Sequence, residues 1–467
     1  YGGSLENRLR FAKEIVEEIK SRCGQDFPVT MRYSPKSMMK DWRVGALPGE
    51  EFQEVGRDLD EGVQAAKLLV EYGYDALDVD VGTYDAWWWN HPPMYQEKGL
   101  YRKYAKLMKE TVDVPILMAG RMDNPEMASA CIADGTCDII SLGRPLLADP
   151  EYVNKLRANQ YDRVRPCLSC HEGCMGRIQE YSALNCAVNP QACRERDMAY
   201  QPICRPKKVL IVGGGVAGCE AARVLAIRGH EPHLFEAGSQ LGGNLIPGGV
   251  PDFKEDDHAL AAWYARELEG LSVPVTLNHK VTASEAMSGG YDAVIVATGS
   301  TPKVFSLGDD ARVHTAADVL TGKADCGSKV VIVGGGLVGC ETALWLAQQG
   351  KQVTIVEALD KLLAVNGPLC HANSEMLEAL IPFHQVQVVT NAKVQRFENG
   401  VLTAQMPEGV HTLEADDVVL CVGYKEEDSL YKELEFSVSE IYCLGDARKV
   451  ANIMYAIWDA FEVANHL

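Results

Sequence analysis

The residues best suited to chemistry stand in one short run, Cys167-Leu-Ser-Cys170-His-Glu-Gly-Cys174, completed by Cys186. Their spacing is C-x2-C-x3-C-x11-C, and Gly173 and Gly176 let the backbone bend around a shared centre. Four thiolates so placed can each bind one iron of a [4Fe–4S] cube. A structural zinc site takes similar ligands, but usually as two C-x2-C knuckles, and only one such knuckle is present. Cys193 and Cys204 follow without ligand spacing.

A second chemistry is written twice. The segment Lys208-Val-Leu-Ile-Val-Gly213-Gly-Gly215-Val-Ala-Gly218-Cys-Glu220 recurs as Lys329-Val-Val-Ile-Val-Gly334-Gly-Gly336-Leu-Val-Gly339-Cys-Glu341, and each copy leads to a second strand ending in an acid, Glu236 or Glu357. In such a strand–turn–helix, the first glycine permits the tight turn and the second lets the backbone approach a pyrophosphate. The third lets helix and strand pack closely. The helix N-terminus offers N–H groups and the positive end of its dipole to the phosphates. The acid accepts from a ribose 2′-OH, so Glu357 predicts NADH over NADPH, whose 2′-phosphate it would repel. A single copy could be a glycine turn that merely packs; two copies with strand, helix and acid in place argue for two dinucleotide sites.

Upstream of these motifs, apolar stretches at 27–33, 75–81, 114–119 and 137–142 alternate with helical ones, the pattern of parallel βα units. Four such units make half of an eight-stranded barrel, and a sheet cut there exposes two edges, so the reading expects more chain before Tyr1. The length of 467 residues suits about three domains. A net charge of −20 disfavours nucleic acid, because phosphate binding needs clustered cations. No apolar run approaches the length of a membrane helix and the first residues lack a signal pattern, which makes the cytoplasm the expected address. The 15 cysteines, densest between 167 and 204, suit metal ligation in a reducing compartment better than a disulfide scaffold.

Three further matches bring a family into view: Leu241-Gly242-Gly243, Ala297-Thr298-Gly299 and Leu444-Gly445-Asp446. With the doubled motif they resemble the two-dinucleotide-binding flavoproteins, in which the first site takes FAD and the second, inserted into the first, takes NAD(P)H. The resemblance implies that Gly243, Gly299 and Gly445 belong to the FAD site and that Asp446 meets the flavin ribityl chain. Disulfide reductases of that family carry a redox cysteine pair after the first helix, whereas residues 242–249 contain no cysteine. Electrons must leave the FAD by another route, which favours iron–sulfur over zinc at the cysteine run.

Tyr1-Gly-Gly-Ser-Leu-Glu-Asn-Arg8, Met31-Arg32-Tyr-Ser34 and Ser141-Leu-Gly143-Arg144-Pro resemble the last four strands of an old yellow enzyme barrel. The whole chain is similar to the 2,4-dienoyl-CoA reductase, enoate reductase and trimethylamine dehydrogenase family. The stretch Tyr84-Asp-Ala-Trp-Trp-Trp-Asn-His91-Pro-Pro-Met-Tyr95 looks nearer to clostridial enoate reductases and bile-acid pathway flavin oxidoreductases than to dienoyl-CoA reductase. The resemblance implies FMN on the barrel, with Arg32 at its N1–C2=O edge and Gly120, Gly143 and Arg144 at its phosphate. Tyr84 and His91 stand where a proton donor or substrate ligand would act, although packing is an equal reading of both.

The expected architecture is α/β: the C-terminal half of a (β/α)8 barrel at 1–160, a cluster segment at 161–205, an FAD fold at 206–315 and 428–467, and an NAD(P)H fold at 316–427. The expected activity is NADH-dependent reduction of an activated C=C bond in a small molecule, by electrons passing from FAD through the cluster to FMN. Oxidative dehydrogenation on the same scaffold and a diaphorase module serving a protein partner remain alternatives, and a homo-oligomer stays open.

Overall fold

Ser4, Asp58 and Asn124 each accept a backbone N–H three residues on, and each starts a helix: Leu5–Cys23, Leu59–Tyr72 and Pro125–Ala133. With Arg102–Thr111, these helices alternate with four strands, β1 (Thr30–Tyr33), β2 (Ala76–Val79), β3 (Ile116–Met118) and β4 (Ile139–Ile140). The strands form one parallel sheet in chain order, as βα repetition requires. Two aspartates tie the strand beginnings together across the sheet: Asp75 accepts from the Val29 amide at 2.7 Å, and Asp138 from that of Ile116 at 2.8 Å.

The computed structural model describes residues 1–365, 367 and 369–467 and divides into two compact units. The half-barrel unit comprises Tyr1–Leu146 with His371–Met376; the second comprises Leu147–Cys370 and Leu377–Leu467. By packing, helix Tyr152–Arg157 falls in the second unit.

The second unit repeats one sheet twice. Its first sheet runs Ile441–Cys443, Ala293–Val296, Lys208–Val212, Glu231–Phe235 and Val275–Thr276; its second runs Val313–Thr315, Asp417–Leu420, Lys329–Val333, Gln352–Val356 and Gln387–Val389. All pairings in both are parallel. The glycine-bearing strand is central in each and shows the same burial, an exposed lysine followed by four buried apolar residues. Because Ile441–Cys443 returns to the first sheet after the whole second fold, the second fold is inserted in the first. A three-stranded antiparallel meander, Lys393–Glu398, Val401–Met406 and Gly409–Glu414, packs Phe397, Leu402 and Ala404 with Val331, Val333 and Val418 of the second sheet.

The cysteine segment shares the core of the first dinucleotide fold. Leu168 and Val188 are buried with Cys219 and Leu225 of helix Val216–Arg228, and with Ile457 and Phe461 of the terminal helix Ile453–His466. Among the described residues no helix is long and apolar enough to cross a membrane.

Candidate flavin, nucleotide and cluster sites

Both glycine loops are built as their spacing requires. Gly213 and Gly334 lie at φ +109° and +106°, and a Cβ on Gly334 would stand 2.5 Å from the Cys421 carbonyl oxygen. A Cβ on Gly218 or Gly339 would overlap the carbonyl oxygen of Gly213 or Gly334, so the close helix–strand approach admits only glycine. At Gly215 the same addition meets nothing nearer than the Gly243 Cα at 4.0 Å, which leaves an open floor for a pyrophosphate. Gly215 and Gly336 are the N-caps of helices Val216–Arg228 and Leu337–Gln348.

The two acids are held alike. Glu236 accepts from the amides of Gly214 and Gly238, both at 2.6 Å. Glu357 accepts from those of Gly335 at 2.5 Å and Leu359 at 2.7 Å. Each carboxylate is thus oriented by its own glycine loop and keeps lone pairs for a ribose. Across the first sheet, Asp446 accepts from Ser300 Oγ at 3.0 Å and from the Ala451 amide at 3.1 Å, which joins the Thr298-Gly299 turn to the Leu444-Gly445 turn. Gly445 lies against the first turn of helix Val216–Arg228, where a Cβ would come within 2.9 Å of the Ala217 side chain.

In the cysteine segment, Ser169 and His171 take left-handed conformations at φ 49° and 59°, flanking Cys170, and Glu172–Gly176 forms a single wide helical turn. A Cβ on Gly173 would stand 2.6 Å from the Ala187 amide nitrogen and the Cys186 carbonyl carbon, so only glycine lets the Cys174 turn lie on the Cys186 limb. Burial pushes the Cys170 thiol well up, helped by Glu172, Cys174 and Cys167, and pushes Cys186 up to about 11. All four cysteines therefore share one electrostatic neighbourhood. Among the described residues no three His, Cys, Asp or Glu side chains have converged to metal-site geometry. The donor set and the glycine cradle nonetheless fit a cluster held by Cys167, Cys170, Cys174 and Cys186, whose irons would compensate four thiolates taken out of water.

Beside this loop lies a charge cluster that the sequence does not announce. Lys254, partly buried, reaches Asp257 at 3.5 Å and Glu341 at 3.4 Å, joining the first dinucleotide fold to the glycine helix of the second. Burial pushes Glu172 up to about 7 against the pull of Lys254.

In the half-barrel unit, Arg32 ends β1 with its Nε on Asp80 Oδ2 at 2.6 Å and Nη1 3.7 Å from Asp78. Its side chain remains 54% exposed, so N–H groups are left for a ligand. Burial pushes the Asp80 carboxyl up, against Arg32. Asp78 and Asp80 share one face by the two-residue period of a strand, a signal the sequence offered and the motif reading missed. Gly120 and Gly143 follow β3 and β4, and Arg144 begins helix Arg144–Ala148. Gly120, at φ +92°, has the Tyr101 ring where a Cβ would sit, 2.6 Å away.

Tyr84, Trp87 and His91 form a column, with ring centroids 5.0 and 4.6 Å apart. Tyr84 is 78% exposed at its outer end. Trp88 and Trp89 both donate to the Ala46 carbonyl, at 3.0 and 2.6 Å, and roof the loop from inside. Trp87 Nε1 and His91 Nδ1 are buried without a hydrogen-bond partner among the described residues. Burial, with Arg144 and Arg32, lowers the His91 pKa to about 4. Arg32, His91 and Arg144 thus act in one electrostatic neighbourhood, with His91 neutral at physiological pH.

Residues 207–458 match the pyridine nucleotide-disulphide oxidoreductase family, and residues 1–163 match the NADH:flavin oxidoreductase / NADH oxidase family. A cinnamate reductase from Clostridium sporogenes is 54% identical over 469 residues, covering 100% of this chain and 70% of that protein. The chain belongs to the NADH:flavin oxidoreductase / NADH oxidase family, of the 2,4-dienoyl-CoA reductase type. Within this family a bilirubin reductase from Mediterraneibacter gnavus is 33% identical, covering 100% of this chain and 72% of that protein. A solved structure of a 2-naphthoyl-CoA reductase with 2-naphthoyl-CoA superimposes with a TM-score of 0.90 at 27% identity, over 100% of this chain and 69% of that one. The protein is an enzyme, an oxidoreductase that binds flavin and pyridine nucleotide, built from part of a TIM barrel and two Rossmann-like folds.

Proposed function

We propose that the protein is an NADH-dependent ene-reductase for a small activated alkene of the aryl enoate class, such as cinnamate. When bound, FAD, a [4Fe–4S] cluster and FMN would carry two electrons from NADH to the C=C bond, which gains a hydride and a proton. The observation that carries this reading is the cysteine segment, folded into the same unit as both dinucleotide folds, with Cys167, Cys170 and Cys186 packed on the core of the first. The 54% identity to a cinnamate reductase supports the substrate class.

Each residue has a task in this reading. Glu357 selects NADH through the ribose, Glu236 holds the FAD ribose, and Asp446 holds the ribityl chain. Arg32 presents its free N–H groups and fixed charge to the flavin edge where negative charge grows, and Asp80 fixes its direction. Gly120, Gly143 and Arg144 receive the FMN phosphate. His91, neutral and lacking a partner at Nδ1, binds substrate by hydrogen bond, and Tyr84, at the solvent end of the column, is the candidate proton donor. Residence in the cytoplasm belongs to the same reading.

Anaerobic assay of the holoenzyme tests it. Cinnamate should oxidise NADH in equal amount and give the saturated acid. NADH oxidation with dyes but with no enoate would favour a diaphorase, and dye reduction driven by the saturated acid or a secondary amine would favour the oxidative reading.

A further inference from the structure

Two neighbouring side chains on the terminal helix Ile453–His466 hold two different parts of the electron path. The indole N–H of Trp458 donates to the carbonyl oxygen of Cys186 at 3.0 Å. The next residue, Asp459, accepts the Gly445 amide at 2.9 Å through one oxygen and the Arg448 guanidinium at 2.8 Å through the other. Consecutive helical residues diverge by about 100°, so one rigid turn can grip both sites at once. Cys186 is the last of the four candidate cluster ligands, and Gly445 opens the turn that carries Asp446.

The helix is a firm base for this grip, since Ile457, Ala460 and Phe461 are wholly buried. The Trp458 ring also packs under two guanidiniums, Arg177 at 5.4 Å and Arg194 at 4.9 Å. Both are fastened to the cysteine segment in turn: Arg177 Nε donates to the Ala183 carbonyl at 2.9 Å, and an Arg194 Nη to that of Pro190 at 3.0 Å. Arg177 follows Cys174 and Arg194 follows Cys186, so one indole holds the limbs behind two of the four thiols.

We propose that Trp458 and Asp459 are positioning residues that set the separation of FAD and cluster, and with it the rate of the single-electron step between them. The proposal rests on the electron path given above. Hydride transfer needs contact between donor and acceptor, whereas a single electron crosses a gap at a rate that falls steeply as the gap widens. A spacer that cannot stretch therefore governs the electron step and leaves hydride arrival from NADH untouched.

Trp458→Phe keeps an aromatic ring for the arginines and removes the N–H together with the five-membered ring that carries it, while Asp459→Ala releases the flavin turn from the same helix. In anaerobic rapid mixing of each holoenzyme with NADH, FAD bleaching should keep its wild-type rate. Cluster reduction, read by freeze-quench electron paramagnetic resonance, should slow at least tenfold at wild-type iron, sulfide and FAD content. Wild-type rates of cluster reduction in the loaded variants would overturn the proposal; if Trp458→Phe alone loses iron, the rate in Asp459→Ala decides. Failure of the underlying path would look different, because the wild-type protein would then hold no iron or leave its cluster oxidised after NADH.

Discussion

Glu357 and His91 show how much one side chain's surroundings add to its type. Glu357 is only 7% exposed and is aimed by two amide N–H groups, so its charge cannot swing away from an incoming 2′-phosphate. Hydrogen bonds to a charged group contribute about 1.5–3 kcal/mol, which sets the expected effect of Glu357→Ala at roughly tenfold or more in the ratio of NADH to NADPH kcat/KM. An unchanged ratio would remove Glu357 from the nucleotide site. His91 carries the opposite lesson. Its pKa falls to about 4, from 6.5, because burial and two arginines disfavour the imidazolium. A base with a lowered pKa stays neutral above that value, so between pH 5 and 8 it has no proton to lose. His91→Asn should raise KM for the enoate several-fold and leave the pH profile of kcat without any lost ionisation near 6.5. Disappearance of such a limb would make His91 the proton donor instead.

Elements explain why single glycines are so demanding. In each dinucleotide fold the helix is pressed on its strand until the third glycine touches the carbonyl of the first, and the room for a Cβ is gone. Overpacking of this kind typically costs 1–3 kcal/mol, and here it falls on the phosphate loop itself. Gly339→Ala should therefore cut NADH-driven FAD bleaching by tenfold or more while FAD stays bound, and Gly218→Ala should lower FAD content directly. The cysteine segment obeys the same rule through Gly173, whose added Cβ would push the Cys174 turn off the Cys186 limb. Iron content measured on Gly173→Ala should fall well below that of the parent. Full iron in that variant would mean that the limbs part freely and that the cradle is not a cradle.

At the scale of the molecule, the proposed path is a series circuit, and a break in it should divide the activities cleanly. Cys170→Ser removes one of the four candidate ligands, a thiol whose pKa burial pushes well up, so the cluster should be lost. NADH should still reduce a dye through FAD at near the parent rate, because both dinucleotide folds stand on their own sheets. Cinnamate reduction should fall by at least a hundredfold. Paired dye and enoate assays with iron analysis decide this, and retained enoate turnover without iron would show that the two flavins exchange electrons without the cluster.

Spacing alone pointed to the local machinery: two glycine turns with their acids, four cysteines as candidate ligands, and parallel βα units. Each of these depends on backbone conformations and on residue types a few positions apart, which a chain cannot hide. The inserted second fold was expected from the resemblance to two-dinucleotide-binding flavoproteins, and the return of Ile441–Cys443 to the first sheet is what the tertiary structure adds. Other features were settled only in three dimensions. The Arg32–Asp80 pair spans 48 residues, the Lys254–Glu341 pair 87, and the Trp458–Cys186 bond 272. No periodicity connects such positions. Burial, too, is a property of the packed chain: the same histidine that titrates near neutrality in water is held neutral to about pH 4 once Trp87 stacks on it and two arginines share its surroundings. The chemistry each residue type can perform was therefore readable in advance, whereas its charge state and its distant partners came from the desolvation and long-range contacts that only folding creates.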